Sequence, residues 1–148
     1  MPVPIAALRS LLWNQFLVLL WAVWWGGLCF YAVVVVPVAT EQIGSVEQGF
    51  ITRLVTVWHN AIHGVFVISL AVEAYRRRNR TLWGFAGLLA VVGMALWYWH
   101  SHLNSMMDAQ AKTVPSDFYD QHAIYLWITA IEWGLGLILP YWLFRPRE

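Results

Sequence analysis

The sequence predicts an all-α integral membrane protein, an antiparallel four-helix bundle with both termini in the cytoplasm. The chain of 148 residues is 60% hydrophobic and only 11% charged, whereas soluble domains are roughly half apolar and one-quarter charged. The charges are clustered, and they leave four long runs that are almost free of charge. Each run exceeds the roughly 20 apolar residues that cross a bilayer.

The four runs form one predicted transmembrane domain over residues 1–148. They predict helices at residues 10–38, 50–75, 81–107 and 118–143. The first run is longer than the roughly 7–15 residues of a signal-peptide core, so we expect it to be a retained helix. Proline interrupts helical hydrogen bonding, so we expect Pro37 to end or bend this helix.

The connections between the helices differ in charge. Residues 73–80, "EAYRRRNR", carry four arginines and Glu73, whereas residues 40–50 and 108–120 are acidic or mixed. The positive-inside rule places the arginine-rich connection and both termini in the cytoplasm, most simply across a bacterial inner membrane. A net charge of +1 gives no indication of a nucleic-acid partner.

Three of the helices carry a polar stripe of residues spaced three or four apart. The stripes are Thr52, Thr56, His59 and His63; His100, Asn104 and Asp108; and His122, Tyr125, Thr129, Glu132 and Gly136. Because lipid cannot satisfy polar groups, we expect these stripes to face the interior of the bundle. At a rise of about 1.5 Å per residue, all the histidines fall in the outer half of the membrane.

His59 and His63 have the i, i+4 spacing with which one helix offers two ligands to a metal. The metalloprotease signature is absent, because Asn60 stands where that motif requires glutamate. The alternative is that both imidazoles are packing residues, hydrogen-bonded across the bundle to Thr56, Tyr125 or Glu132. The sequence leaves these two interpretations open.

Glu132 is interpreted as the only acid within a membrane run, since Glu73 is assigned to a connection. A charged and unpaired carboxylate would be costly there, so Glu132 is expected to be protonated or paired. His63 lies at the same predicted depth and is its expected partner. Such a pair suits a proton relay, a metal carboxylate or a neutral acid that donates one hydrogen bond.

The candidate ligand is haem b or a copper or zinc ion. Candidate cofactor-binding residues are His59, His63, His100, His122 and Arg53, the last to pair with a haem propionate. Candidate metal ligands are His59, His63, His100, His122, Glu132 and Cys29. Cys29 is also explained as a small hydrophobic residue. No catalytic residue is identified, and whether the protein is an enzyme stays open.

The tryptophans are expected to serve two purposes. Trp13 suits an interfacial belt. Trp24, Trp58, Trp97, Trp99 and Trp133 lie too deep for a belt and are expected either to wall a pocket or to fill the bundle.

Two segments resemble the CopD-like superfamily of small four-helix membrane proteins. Residues 21–38, "WAVWWGGLCFYAVVVVPV", contain the tryptophan, paired small residues, aromatic residue and terminal Val-Pro that recur in the first helix of that group. Phe118, Tyr119 and His122 resemble the aromatic residue and histidine that open the last helix of its uncharacterised members. The resemblance implies copper handling or haem binding.

One branch of that superfamily is a haem-binding protoporphyrinogen oxidase of the HemJ type. This chain departs from that branch, since Asn14 and Gln15 stand where a histidine is expected and a later-helix lysine is missing. That activity is therefore not implied. The histidine pair at residues 59 and 63 is not matched to the uncharacterised members either.

The leading hypothesis is a membrane protein that uses its bound haem or metal for electron transfer, redox chemistry or metal handling. A second hypothesis is an accessory or structural subunit of a larger membrane complex. A third is a small proton-coupled transporter that uses Glu132. The expected partners are the lipid bilayer and a homo-oligomer or larger complex.

Overall fold

A computed structural model describes residues 4–145, and over this range the chain is almost entirely helical. It has four long helices: α1 at Ile5–Ile43, α2 at Ser45–Arg77, α3 at Arg80–Met106 and α4 at Phe118–Leu143. Each is long and apolar enough to cross a membrane. The prediction of an all-helical chain with four apolar helices is confirmed.

The connection between α1 and α2 is much shorter than the sequence suggests. Helix α1 continues to Ile43 and α2 starts at Ser45, so Gly44 alone forms the turn. Gly44 has a φ of +83°, which glycine adopts without the steric cost of a Cβ atom. We call the end of the bundle with Gly44 and residues 107–117 the loop end.

Helix α1 is irregular over its second half. Two π-helical segments, Ala22–Gly26 and Tyr31–Val35, interrupt its α-helical geometry. The α-helical segment Val36–Ile43 follows, with Pro37 in its first turn. A proline lacks the backbone N–H that a regular helix needs. The π-helical segment Tyr31–Val35 lies just before Pro37, and its wider turn changes the local hydrogen bonding. Pro37 therefore does not end the helix, which corrects that part of the sequence prediction.

The opposite end of the bundle, around the turn at Arg78 and Asn79, is called the arginine end. Arg78 is left-handed, with a φ of 51°. Asn79 caps α3, since its Oδ1 accepts hydrogen bonds from the backbone N–H groups of Thr81 (2.9 Å) and Leu82 (3.1 Å). This N-cap fixes where α3 begins.

The apolar core lies in the half of the bundle towards the arginine end. Leu17 of α1, Phe66 and Leu70 of α2, Leu89 of α3 and Leu139 of α4 are at most 1% exposed. Helix α2 packs along α3, and α3 packs along α4. The polar stripes lie mostly on the loop-end side of this core, so the two halves of the interior differ in polarity.

The loop before α4 is exposed and held by local hydrogen bonds. Asp108 accepts hydrogen bonds from the backbone N–H groups of Ala111 (2.9 Å) and Gln110 (2.8 Å). These bonds favour the carboxylate and lower the pKa of Asp108. Asp108 therefore stabilises a turn at the loop end and does not extend the inward stripe of α3.

Candidate histidine–glutamate site

His63 and Glu132 form a buried pair between α2 and α4. His63 Nδ1 lies 2.6 Å from Glu132 Oε1, and the side chains are 3% and 1% exposed. The expectation that His63 is the partner of Glu132 is confirmed. An ionised carboxylate only accepts hydrogen bonds, so a neutral His63 beside it carries its proton on Nδ1 and a lone pair on Nε2.

Trp24 completes the set of groups around this carboxylate. It donates its Nε1–H to Glu132 Oε1 over 2.9 Å and is fully buried. Its ring stacks on Phe66 with the centroids 4.7 Å apart. The partner of Trp24 is not specified by the sequence, although a buried indole N–H generally requires an acceptor.

The neighbouring tryptophans also attach α1 to α4. Trp21 donates to the backbone carbonyl of Gly136 over 3.0 Å, and Trp25 donates to that of Trp133 over 2.9 Å. Trp24 and Trp25 belong to the first π-helical segment. Three closely spaced indoles of α1 thus bind one short stretch of α4, which fixes the position of Glu132 relative to α1.

Three of the other deep tryptophans do not wall a pocket in the interior. Trp58, Trp97 and Trp133 are 75%, 57% and 43% exposed on the outside of the bundle. Their positions along the helices therefore did not predict which way their side chains face. Trp133 nevertheless donates its Nε1–H to Cys29 Sγ over 3.1 Å.

His59 lies near the pair without joining it by a hydrogen bond. Its Nε2 is 3.9 Å from Glu132 Oε1, and its side chain is 20% exposed. Within residues 4–145, the buried Nε2 atoms of His59 and His63 have no hydrogen-bond partner. Nitrogen atoms of Arg53 and Asn60 on the same helix share this property. Most buried polar atoms are hydrogen-bonded, so this group of four is unusual.

Helix α3 approaches the His63 ring closely at Gly93. A Cβ atom added there would lie 3.3 Å from His63 Cε1 and 3.5 Å from Nε2. Glycine therefore leaves just enough room for the imidazole between α2 and α3.

His100 and His122 belong to a second location. They line a cavity of about 300 Å³ at the loop end, to which all four helices contribute. We call it the loop-end cavity. Arg53 also lines it and donates from Nη1 to Asn104 Oδ1 over 3.1 Å. The cavity extends to Thr129, one helical turn from Glu132.

The predicted site residues thus fall into three groups. The structure brings His59, His63 and Glu132 together, and it places His100, His122 and Arg53 around the loop-end cavity. Cys29 contacts Trp133 instead. Over the described range, no three His, Cys, Asp or Glu side chains are grouped closely enough to hold a metal ion.

A second buried carboxylate was missed by the sequence analysis. Glu73 is fully buried near the end of α2, which continues to Arg77. It accepts hydrogen bonds from Trp13 Nε1 (2.7 Å), Arg76 Nη1 (3.4 Å) and Arg77 Nε. Glu132 is therefore not the only acid inside a helix of the bundle. The i, i+3 and i, i+4 spacing of Glu73 to the arginines was the available signal.

Trp13 belongs to this cluster rather than to a free interfacial belt, since its indole N–H bonds to Glu73.

The resemblance to the CopD-like superfamily rests on the two short segments already described. The chain matches no family model, no curated protein and no solved structure.

Proposed function

We propose that this is an integral membrane protein, with both termini in the cytoplasm, that binds haem b or a copper or zinc ion in the outer half of the bilayer. Four helices long and apolar enough to cross a membrane support the membrane assignment. Large side chains such as Leu54, Ile68 and Trp127 are more than half exposed on its outside, which suits lipid as the solvent. The ligand would support electron transfer, redox chemistry or metal handling.

The buried His63–Glu132 pair, with its free Nε2 atom, carries the proposal. A carboxylate on one nitrogen of an imidazole fixes its tautomer and raises the basicity of the other nitrogen, as in many metal-binding histidines. Here the other nitrogen is buried and unpartnered within the described chain. Leaving such an atom unsatisfied is unfavourable by roughly 1–3 kcal/mol, so a ligand at this position would remove that cost.

The donor chemistry fits a bare ion in part. Imidazole suits zinc, copper and iron, and the Nε2 atoms of His59 and His63 are the available donors, with Glu132 orienting His63. A bare ion would need a further ligand from outside this group, because no third protein donor joins them in the described chain.

The loop-end cavity offers haem a different set of groups. His100 and His122 come from separate helices and line the same space, and Arg53 lines it with a cationic side chain suited to a propionate. Bound haem or copper would supply one-electron chemistry. The protein residues would hold the ligand and exclude water.

An absorption spectrum of the detergent-purified protein, oxidised and reduced, together with elemental analysis, tests the proposal. We expect either a haem spectrum or a stoichiometric metal. Loss in His63→Ala and His59→Ala would assign the ligand to the pair, and loss in His100→Ala and His122→Ala would assign it to the cavity.

His102→Ala is the matched control, because His102 is exposed on the same helix as His100. It should retain the ligand fully. The absence of both a haem band and bound metal in the unmodified protein would overturn the proposal. Equal loss of the ligand in the His102→Ala control would also overturn it.

A small proton-coupled transporter is the second candidate. The specific observation in its favour is the 2.6 Å contact between His63 and Glu132, two groups that can exchange a proton. The apolar core around Phe66 and Leu70 closes the path towards the arginine end in this conformation. Substrate flux into proteoliposomes that is unchanged by Glu132→Gln would exclude this function.

A further inference from the structure

We infer that the arginine end contains a binding site for the phosphate group of an anionic lipid. A cavity of about 410 Å³, here called the arginine-end cavity, lies between the ends of α1, α2 and α4. Its lining residues are Ser10, Asn14, Leu17, Arg77, Leu143, Phe144 and Arg145. None of these residues is a histidine, so the inference rests on the proposed membrane insertion and orientation and not on the proposed haem or metal.

The cavity has the polar groups that recognise phosphate. Arg77 and Arg145 supply two guanidinium groups, whose planar N–H donors match phosphate oxygens. Ser10 and Asn14 add neutral donors. Among the described residues that line the cavity, none is acidic.

The charges around the cavity do not cancel. Arg76 and Arg77 share the single carboxylate of Glu73, which leaves one excess positive charge. Arg145 interacts with Tyr141, its guanidinium carbon 4.1 Å from the ring centroid, and forms no ion pair with a carboxylate in the described part of the chain. The region is therefore electropositive and favours an anion.

Arg77 is held in place before any ligand binds. Its Nε bonds to the buried Glu73, and its Nη1 lies 3.4 Å from the backbone carbonyl of Arg145. The side chain is only 13% exposed. A guanidinium that is already oriented loses less conformational entropy on binding than a free surface arginine does.

The apolar part of the cavity favours a lipid over free phosphate. Leu17, Leu143 and Phe144 provide a hydrophobic wall beside the two arginines. A phospholipid presents its phosphate next to apolar chains, whereas inorganic phosphate has no apolar part. Basic pockets between helices at the cytoplasmic side of a membrane commonly bind anionic head groups.

Native mass spectrometry of the full chain in mild detergent tests this site. We expect phosphatidylglycerol to bind more tightly than phosphatidylcholine, which has no net charge. Arg145→Gln should weaken phosphatidylglycerol binding about tenfold, the loss expected for one charge-assisted hydrogen bond. Arg78→Gln is the control, because Arg78 lies at the same end but outside the cavity lining.

Two results would overturn the inference. Equal loss in Arg78→Gln and Arg145→Gln would show nonspecific attraction to the arginine end. Displacement of the lipid by an equal concentration of inorganic phosphate would assign the cavity to free phosphate. Arg145→Gln should leave the absorption spectrum and metal content unchanged, so this test is independent of the histidine site.

Discussion

The two buried carboxylates of this bundle are satisfied in different ways. Each accepts a hydrogen bond from an indole of α1, Trp13 for Glu73 and Trp24 for Glu132. Glu73 is also paired with Arg76 and Arg77 at the arginine end. Glu132 has the imidazole of His63 deep within the bundle instead.

This difference separates a carboxylate that is paired with permanent cations from one that is paired with an imidazole. Guanidinium groups stay protonated at any physiological pH, so Glu73 has permanent counter-charges. An imidazole is not a permanent cation, so Glu132 lacks the fixed counter-charges that Glu73 has. We therefore expect Glu73 to stabilise the fold and Glu132 to serve the function.

The largest effect is expected from Arg77→Ala. The variant removes the closer of two cations from the buried Glu73, and because Arg76 remains we expect a loss of about 3 kcal/mol, the lower end of the range for a broken buried pair. Thermal unfolding in detergent measures the loss, with Arg78→Ala as the control at an exposed position. Similar stability of the two variants would contradict a structural role for the Glu73 cluster.

A smaller loss is expected from Trp24→Phe. The change removes one hydrogen bond to a buried carboxylate, for which we expect a loss of about 1.5–3 kcal/mol. Trp13→Phe should lose less, because Glu73 keeps two arginine donors. Chemical unfolding measures the stability loss of both variants. A larger loss in Trp13→Phe than in Trp24→Phe would contradict the idea that Glu73 depends less on its indole donor than Glu132 does.

Gly93→Ala is expected to change ligand binding more than stability. The added methyl group would lie 3.3 Å from the His63 ring, and the resulting overpacking should destabilise the fold by about 1 kcal/mol. Displacement of the imidazole should lower the amount of bound metal if His63 is a ligand. Gly87→Ala on the same helix meets no atom within 4 Å, and it should leave the metal content unchanged.

The smallest predicted effect is a gain from Arg78→Gly. Arg78 is left-handed at the end of α2, a conformation that glycine adopts more readily. The variant should be more stable by about 0.5–1 kcal/mol, as measured by thermal unfolding. A loss of stability would show that the Arg78 side chain contributes to the arginine end despite its exposure.

Much of the site could be predicted from the sequence where helical periodicity applied. The stripes on α2 and α4 predicted that His63 and Glu132 would face each other, and they do. Helix α3 was less informative: Trp97 lies one turn from His100 and was expected to wall a pocket or fill the bundle, yet it is exposed. One or two polar residues at the edge of a helix face do not define how the helix is rotated about its axis.

Other features depended on contacts between distant residues. The sequence could not show that His100 and His122 line a cavity while His59 and His63 adjoin Glu132, because depth along a helix does not determine rotation about its axis. Glu73 was missed for a related reason, since its burial depends on contacts with α1, including the hydrogen bond from Trp13.

The sequence by itself determined that this chain forms four apolar helices, because the length and spacing of uncharged runs reflect local composition alone. Only the tertiary structure decided which donors reach each carboxylate. The hydrogen bonds from Trp13 and Trp24 span 60 and 108 residues along the chain. Such bonds form only after α1 packs against α2 and α4, so no local pattern specifies them.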